Sequence, residues 1–182
     1  MQHLIFSRAV SKKPHQPHKM GEKVTESQAS NLLALLRTDT SIDTKVNQIN
    51  LVKSGIKQNN VPDTCVSILF EICRISMTSQ HPTLANAGFS TLNHLLMRLS
   101  RQEPKHITRE AARTLPLVAE KVGDQKEKYR QMAVQCLTAF WKAAPMDVER
   151  IVKINTMTGK NSRAKETGMQ WLLQACQIAS TP

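Results

Sequence analysis

The sequence predicts an all-α solenoid, a stack of about four helical hairpins, and three observations predict it. Leu, Ala, Ile, Met, Gln and Lys dominate and only 4% of residues are aromatic, which favours helix over the β-branched and aromatic mixture of sheets. Apolar residues recur at three- and four-residue spacing in each segment after Met20. These segments come in pairs that open at Thr25, Pro62, Pro104 and Pro145, an interval of roughly 40 residues. A lone hairpin cannot bury both its apolar faces, so neighbouring pairs must stack.

The first helix opens at Thr25-Glu26-Ser27-Gln28, which has capping-box form, and carries Leu32, Leu33, Leu35 and Leu36. After a turn at Thr38 to Ser41, Val46, Ile49, Val52 and Ile56 mark its partner, and Asn59-Asn60-Val61-Pro62 ends the pair. The second pair runs from Asp63 to about Ile75 and from about Pro82 to Leu99, with a turn at Ser79 to Pro82. In the third, Ile107, Ala111, Leu115, Val118 and Val122 precede a Gly123-Asp124 break, and Tyr129, Met132, Ala133, Cys136, Leu137 and Phe140 follow it. The fourth pair joins a short helix with Val148, Ile151 and Val152 to one carrying Met169, Leu172, Leu173 and Cys176, across a turn at Gly159 to Ser162.

With 182 residues, 40% of them hydrophobic and 21% charged, the chain has enough apolar material for one core. Its formal charge of +11 favours an acidic partner, whether nucleic acid, an anionic membrane or an acidic protein. No apolar run approaches the ~20 residues that span a membrane. Residues 1–20 read as a basic disordered tail, in preference to a mitochondrial presequence, because Pro14 and Pro17 soon break any helix there. Residues 21–180 form the helical domain. Cys65, Cys73, Cys136 and Cys176 are far apart among apolar residues and read as reduced core cysteines, with no spacing suited to zinc. No Gly-rich phosphate loop, GxSxG or HExxH occurs, so the residues point to neither an enzyme nor a bound cofactor.

The repeat interval fits HEAT or armadillo units, and LPLVAEKVGDQKEKYRQMA (115–133) resembles the HEAT consensus in its Pro116, Asp124 and Arg130. Pro116 is expected to bend the first helix of its pair. Asp124 is expected to cap the second helix, and Asp124 and Arg130 to serve a structural ladder between repeats. Trp141 and Trp171 are read as packing residues.

Three stretches, VNQINLVKSGIKQNNVPDTCVSILFEICR, LSRQEPKHITREAARTLPLVAEKVGDQKEKYR and GKNSRAKETGMQWLLQ, resemble the N-terminal TOG domain of fungal CLASP proteins, which stabilise microtubules. The resemblance covers Gly21 to about Gln177. It implies a tubulin-binding HEAT-repeat domain with a role in mitotic spindle formation, placed in the cytoplasm, the cytoskeleton, the spindle and, during fungal mitosis, the nucleus. It implies that tubulin meets the turns inside each helical pair, and it maps candidate contacts onto Lys126, Lys128, Lys160, Asn161, Arg163 and Lys165.

Two departures stand out. The first turn, RTDTSIDTK, lacks the Trp common in strong tubulin binders, which implies weak affinity. The family's TOG domains have about six helical pairs where this chain has room for about four, so a partial domain is expected. The alternative is a HEAT scaffold that docks another acidic protein or nucleic acid. Nucleic acid is disfavoured because the basic positions are not interleaved with aromatics that stack on bases.

Overall fold

The computed structural model describes residues 22–179, and the tail reading for residues 1–20 lies outside them. Among the described residues eight α-helices follow one another: α1 Glu26–Leu36, α2 Ile42–Gln58, α3 Asp63–Met77, α4 Pro82–Gln102, α5 Lys105–Val122, α6 Glu127–Trp141, α7 Pro145–Val152 and α8 Ser162–Ala179. A π-helical turn, Lys153–Met157, follows α7, which the apolar spacing did not foretell. No strand occurs among the described residues. The first helices of successive pairs, α1, α3, α5 and α7, pack side by side in one layer, and α2, α4, α6 and α8 in the other. The predicted all-α array is what the chain forms.

Local chemistry sets the helix starts. At α1 the Thr25 hydroxyl accepts from the Gln28 N–H (3.2 Å) and the Thr25 N–H donates to Gln28 Oε1 (3.0 Å), closing the capping box. Ser41 accepts from the Thr44 N–H at the start of α2. Pro82 and Pro145 open α4 and α7, where the proline nitrogen needs no acceptor. Helix α5 runs unbroken through Pro116. Pro116 and Ala112 are both exposed, so the carbonyl that loses its N–H partner faces water.

The core runs the length of the array between the layers. Phe70, Phe89 and Phe140 are fully buried, each contributing roughly 1.5–3 kcal/mol. Phe70 and Phe140, with ring centroids 6.5 Å apart, join α3 to α6. Beside them sits a buried ionic cluster. Arg74 Nη1 donates to Glu110 Oε2 (3.0 Å) and to the Thr114 hydroxyl (3.1 Å), and Arg74 Nη2 to Glu71 Oε2 (2.8 Å). Ser67 completes it by donating to Glu110 Oε1 at 2.9 Å. Burial alone would depress the guanidinium, but the bonds from Glu71 and Glu110 outweigh it and hold Arg74 above its ordinary range.

Three expectations need correction. Cys65, Cys73 and Cys136 are core residues, but Cys176 is exposed. The buried face of α8 is Ala164, Gly168, Trp171 and Ala175, whereas Met169 and Leu173 are 45% and 65% exposed. Beside Trp171 that face carries small residues, and at Gly168 the π-helical turn comes too close for a side chain: a Cβ there would lie 2.5 Å from Thr156 Cγ2. Asp124 and Arg130 form no carboxylate–guanidinium pair. Arg130 Nη1 donates instead to the main-chain carbonyls of Asp124 and Gln125, both at 2.9 Å. The Asp124 carboxylate accepts from the Lys126 N–H (2.9 Å), just before α6, and meets Lys121 at 3.4 Å. Both residues therefore shape their own turn.

Candidate functional site

Because the helices alternate in direction, the turn inside each pair falls at the same end of the stack. Side chains fasten these turns to one another. Tyr129, the chain's one tyrosine, donates its hydroxyl to the Pro82 carbonyl (3.3 Å) and sets its ring 6.3 Å from Phe89. Asn161 Nδ2 donates to the Gly123 carbonyl (3.3 Å), linking the fourth turn to the third. Gly123 permits that approach, since a Cβ there would meet the Asn161 amide nitrogen at 2.5 Å and Ala164 Cβ at 3.0 Å. The second, third and fourth turns thus form one continuous edge.

The candidate residues fall into two groups along it. Lys126, Lys128, Lys160, Arg163 and Lys165 are exposed, and none is in an ion pair among the described residues. Lys126 is the N-cap residue of α6, with its ammonium 5.9 Å from the centre of the Tyr129 ring. Lys160 projects from the fourth turn and Lys165 from the first turns of α8. Arg163 borders a polar groove of about 400 Å³ between α6 and α8, together with Glu127, Glu166 and Trp171. Asn161 is different. Its Oδ1 accepts from the Ala164 N–H (3.1 Å) while its Nδ2 reaches Gly123, so it caps α8 and fastens the turns.

The lysine beside the first turn is also structural. Lys45 is buried, and its ammonium donates to the carbonyls of Leu36 (3.2 Å) and Thr38 (2.6 Å), closing the end of α1. Trp141 and Trp171 pack edge to face at 6.3 Å, and Trp171 Nε1 donates to the Thr138 hydroxyl at 3.0 Å. Sequence reasoning missed Tyr129 as a fastener. Its signal was its place three residues after Lys126, on the same helical face. Among the described residues there is no group of three or more His, Cys, Asp or Glu suited to a metal, and no helix long and apolar enough to cross a membrane.

The family model for CLASP N-terminal regions matches residues 25–180, which is nearly all of this array. The chain belongs to the CLASP N-terminal family. It is 58% identical over 158 residues to protein stu-1 of Neurospora crassa, covering 87% of this chain and 14% of that protein. It is 54% identical to protein STU1 of Chaetomium globosum, with the same 87% and 14% coverage. Identity to protein STU1 of Gibberella zeae is 55% over 84% of this chain and 13% of that protein. This CLASP N-terminal chain therefore spans about one seventh of the curated relatives' length. No solved structure matches it.

Proposed function

We propose that this chain is a tubulin-binding unit of a CLASP-type microtubule-associated protein, and that it meets tubulin along the edge formed by the turns inside its helical pairs. The observation that carries this reading is the Asn161–Gly123 bond. It holds the third and fourth turns together, and so gathers Lys126, Lys160 and Lys165 at one edge although they are dispersed in sequence. Unpaired ammonium groups on a preformed edge speed encounter with an acidic surface and add salt-sensitive affinity. Membership in the CLASP N-terminal family supports tubulin over other acidic partners, and with it a role in stabilising dynamic microtubules at the cytoskeleton and mitotic spindle. In fungi whose nuclear envelope persists through division, that role would be exercised inside the nucleus.

The test is co-elution with tubulin after charge reversal. Lys126→Glu, Lys160→Glu and Lys165→Glu together should abolish most co-elution, while reversal of Lys12, Lys13 and Lys19 should have a smaller effect. The fold should stay intact, because exposed charges contribute little stability. Greater damage from the tail reversal would replace this reading with diffuse polycation attraction. If the unmodified chain failed to bind tubulin, the missing first-turn aromatic would decide the matter, and the domain would be a docking scaffold for another acidic protein.

A further inference from the structure

A second charged surface lies away from the turns, on α2 and α4. Lys53 and Lys57 stand one helical turn apart on α2, and His94 and Arg98 one turn apart on α4, the helix packed against it. Arg98 Nε donates to the Ile56 carbonyl (3.0 Å) and its Nη2 to the Lys57 carbonyl, so the two rows are locked side by side. Lys57 lies fifteen residues beyond Ile42, about 20 Å along α2 from the turn edge. The proposed tubulin contacts are therefore remote from it.

The two helices supply no compensating charge along these rows. Helix α4 contains no Asp or Glu, and the one acidic residue of α2, Asp43, is in its first turn at the far end. Glu103, beyond the end of α4, pairs with Lys105 at 3.5 Å. Among the described residues, none of Lys53, Lys57, His94 and Arg98 is in an ion pair. Lysine and arginine near a helix C-terminus are favoured by the exposed carbonyls, which accounts for Lys57 and Arg98. Lys53 and His94, a turn further in, gain nothing from that effect. Burial, and then the charge of Lys57, pull the Lys53 ammonium below its ordinary range. Burial, then Lys57 and Lys53, do the same to the His94 imidazole.

We propose that the α2–α4 face is a second docking surface, distinct from the turn edge, that takes an acidic polypeptide segment. Carboxylates spaced along an extended or helical segment would neutralise the two rows and relieve their mutual repulsion. The neighbouring Met97, 46% exposed, offers an apolar contact to a side chain of that segment. Phe89, the one Phe, Tyr or Trp on these helices, is fully buried, which leaves the half-buried His94 ring as the face's sole platform for a stacked base. A polypeptide fits this combination better than a nucleic acid, which needs successive rings to stack its bases.

The experiment titrates the full chain with a fluorescein-labelled oligoglutamate at low ionic strength and follows anisotropy. Lys53→Gln with Lys57→Gln should weaken binding by about tenfold, and the charge-matched turn variant, Lys126→Gln with Lys160→Gln, by less than about a third of that. An unchanged melting temperature in the double variant excludes loss of fold. In the unmodified chain, imidazole NMR should show the His94 pKa rising when the peptide is added, as a nearby carboxylate favours the charged ring. Wild-type affinity in the double variant, transfer of the loss to the turn variant, or tighter binding of an oligonucleotide of equal charge would each overturn the proposal. Because no tubulin is present, failure here leaves the tubulin reading untouched, and the reverse holds.

Discussion

The interface between the second and third pairs is closed in both layers, whereas the one between the third and fourth gapes in one. In the former, α3 meets α5 through the buried Arg74–Glu110 pair and α4 meets α6 around Phe89 and Tyr129. In the latter, α7 has only eight residues and passes into the π-helical turn, and α8 rests on that turn and on α5. Its meeting with α6 leaves the polar groove beside Trp171. The fourth pair also carries Met146, Ile154, Met169 and Leu173 exposed at 82%, 54%, 45% and 65%. Fully packed neighbours give an array its stability one interface at a time, so this CLASP N-terminal chain should unravel from the fourth pair.

The largest expected effect is at the closed interface. Glu110→Ala leaves Arg74 with one carboxylate in a buried site and should cost about 3–5 kcal/mol, read as a fall in the urea midpoint for the whole domain. A loss under about 1 kcal/mol would show that water reaches the cluster. Gly123→Ala tests the open interface. The added methyl collides with Asn161 and Ala164, so it should cost about 1–3 kcal/mol, with raised amide exchange confined to the fourth turn and α8. Exchange spreading equally through α5 and α6 would mean that the two interfaces act as one unit.

Without any substitution, amide exchange along α8 should outpace that in α5 and α6, and equal protection would erase the contrast between the interfaces. The mildest probe is thiol labelling at neutral pH. Burial pushes the Cys73 thiol up to about 12 and raises Cys136 as well, so both stay protonated and shielded. Cys176, exposed on α8, should react first. Reaction of Cys136 at a comparable rate would place frequent opening at the third pair and overturn the order of unravelling.

Almost all of the helical architecture was legible because period, cap and proline agreed in each segment. Thr25 with Gln28, Pro82 and Pro145 all lie at helix starts in the structure. What misled was α8, where Leu172-Leu173 outweighs Ala164, Gly168 and Ala175 on any hydrophobicity scale. Close approach to a π-helical turn leaves no room for a side chain at Gly168, and nothing local announces that turn. Of the basic positions on the candidate edge, Lys126 and Lys160 were readable as turn residues, whereas Lys128, Arg163 and Lys165 fall in the first turns of the helices that follow. Their fasteners were not readable, because Asn161 and Tyr129 reach across dozens of residues to carbonyls whose orientation depends on how successive pairs rotate. For the same reason Asp124 and Arg130 looked like a ladder and proved to be local braces.

Asn161 is followed by Ser162, a small residue whose main-chain nitrogen can attack an asparagine amide and slowly turn it into a carboxylate. Here the amide is held at both ends, its nitrogen on the Gly123 carbonyl and its oxygen on the Ala164 N–H, and it is not free to swing into that attack. The clasp that joins the turns is thus also a guard against chemical ageing. Once hydrolysed it could not re-form, since a carboxylate oxygen set against the Gly123 carbonyl repels it. An aged molecule would keep its helices and lose the alignment of its edge.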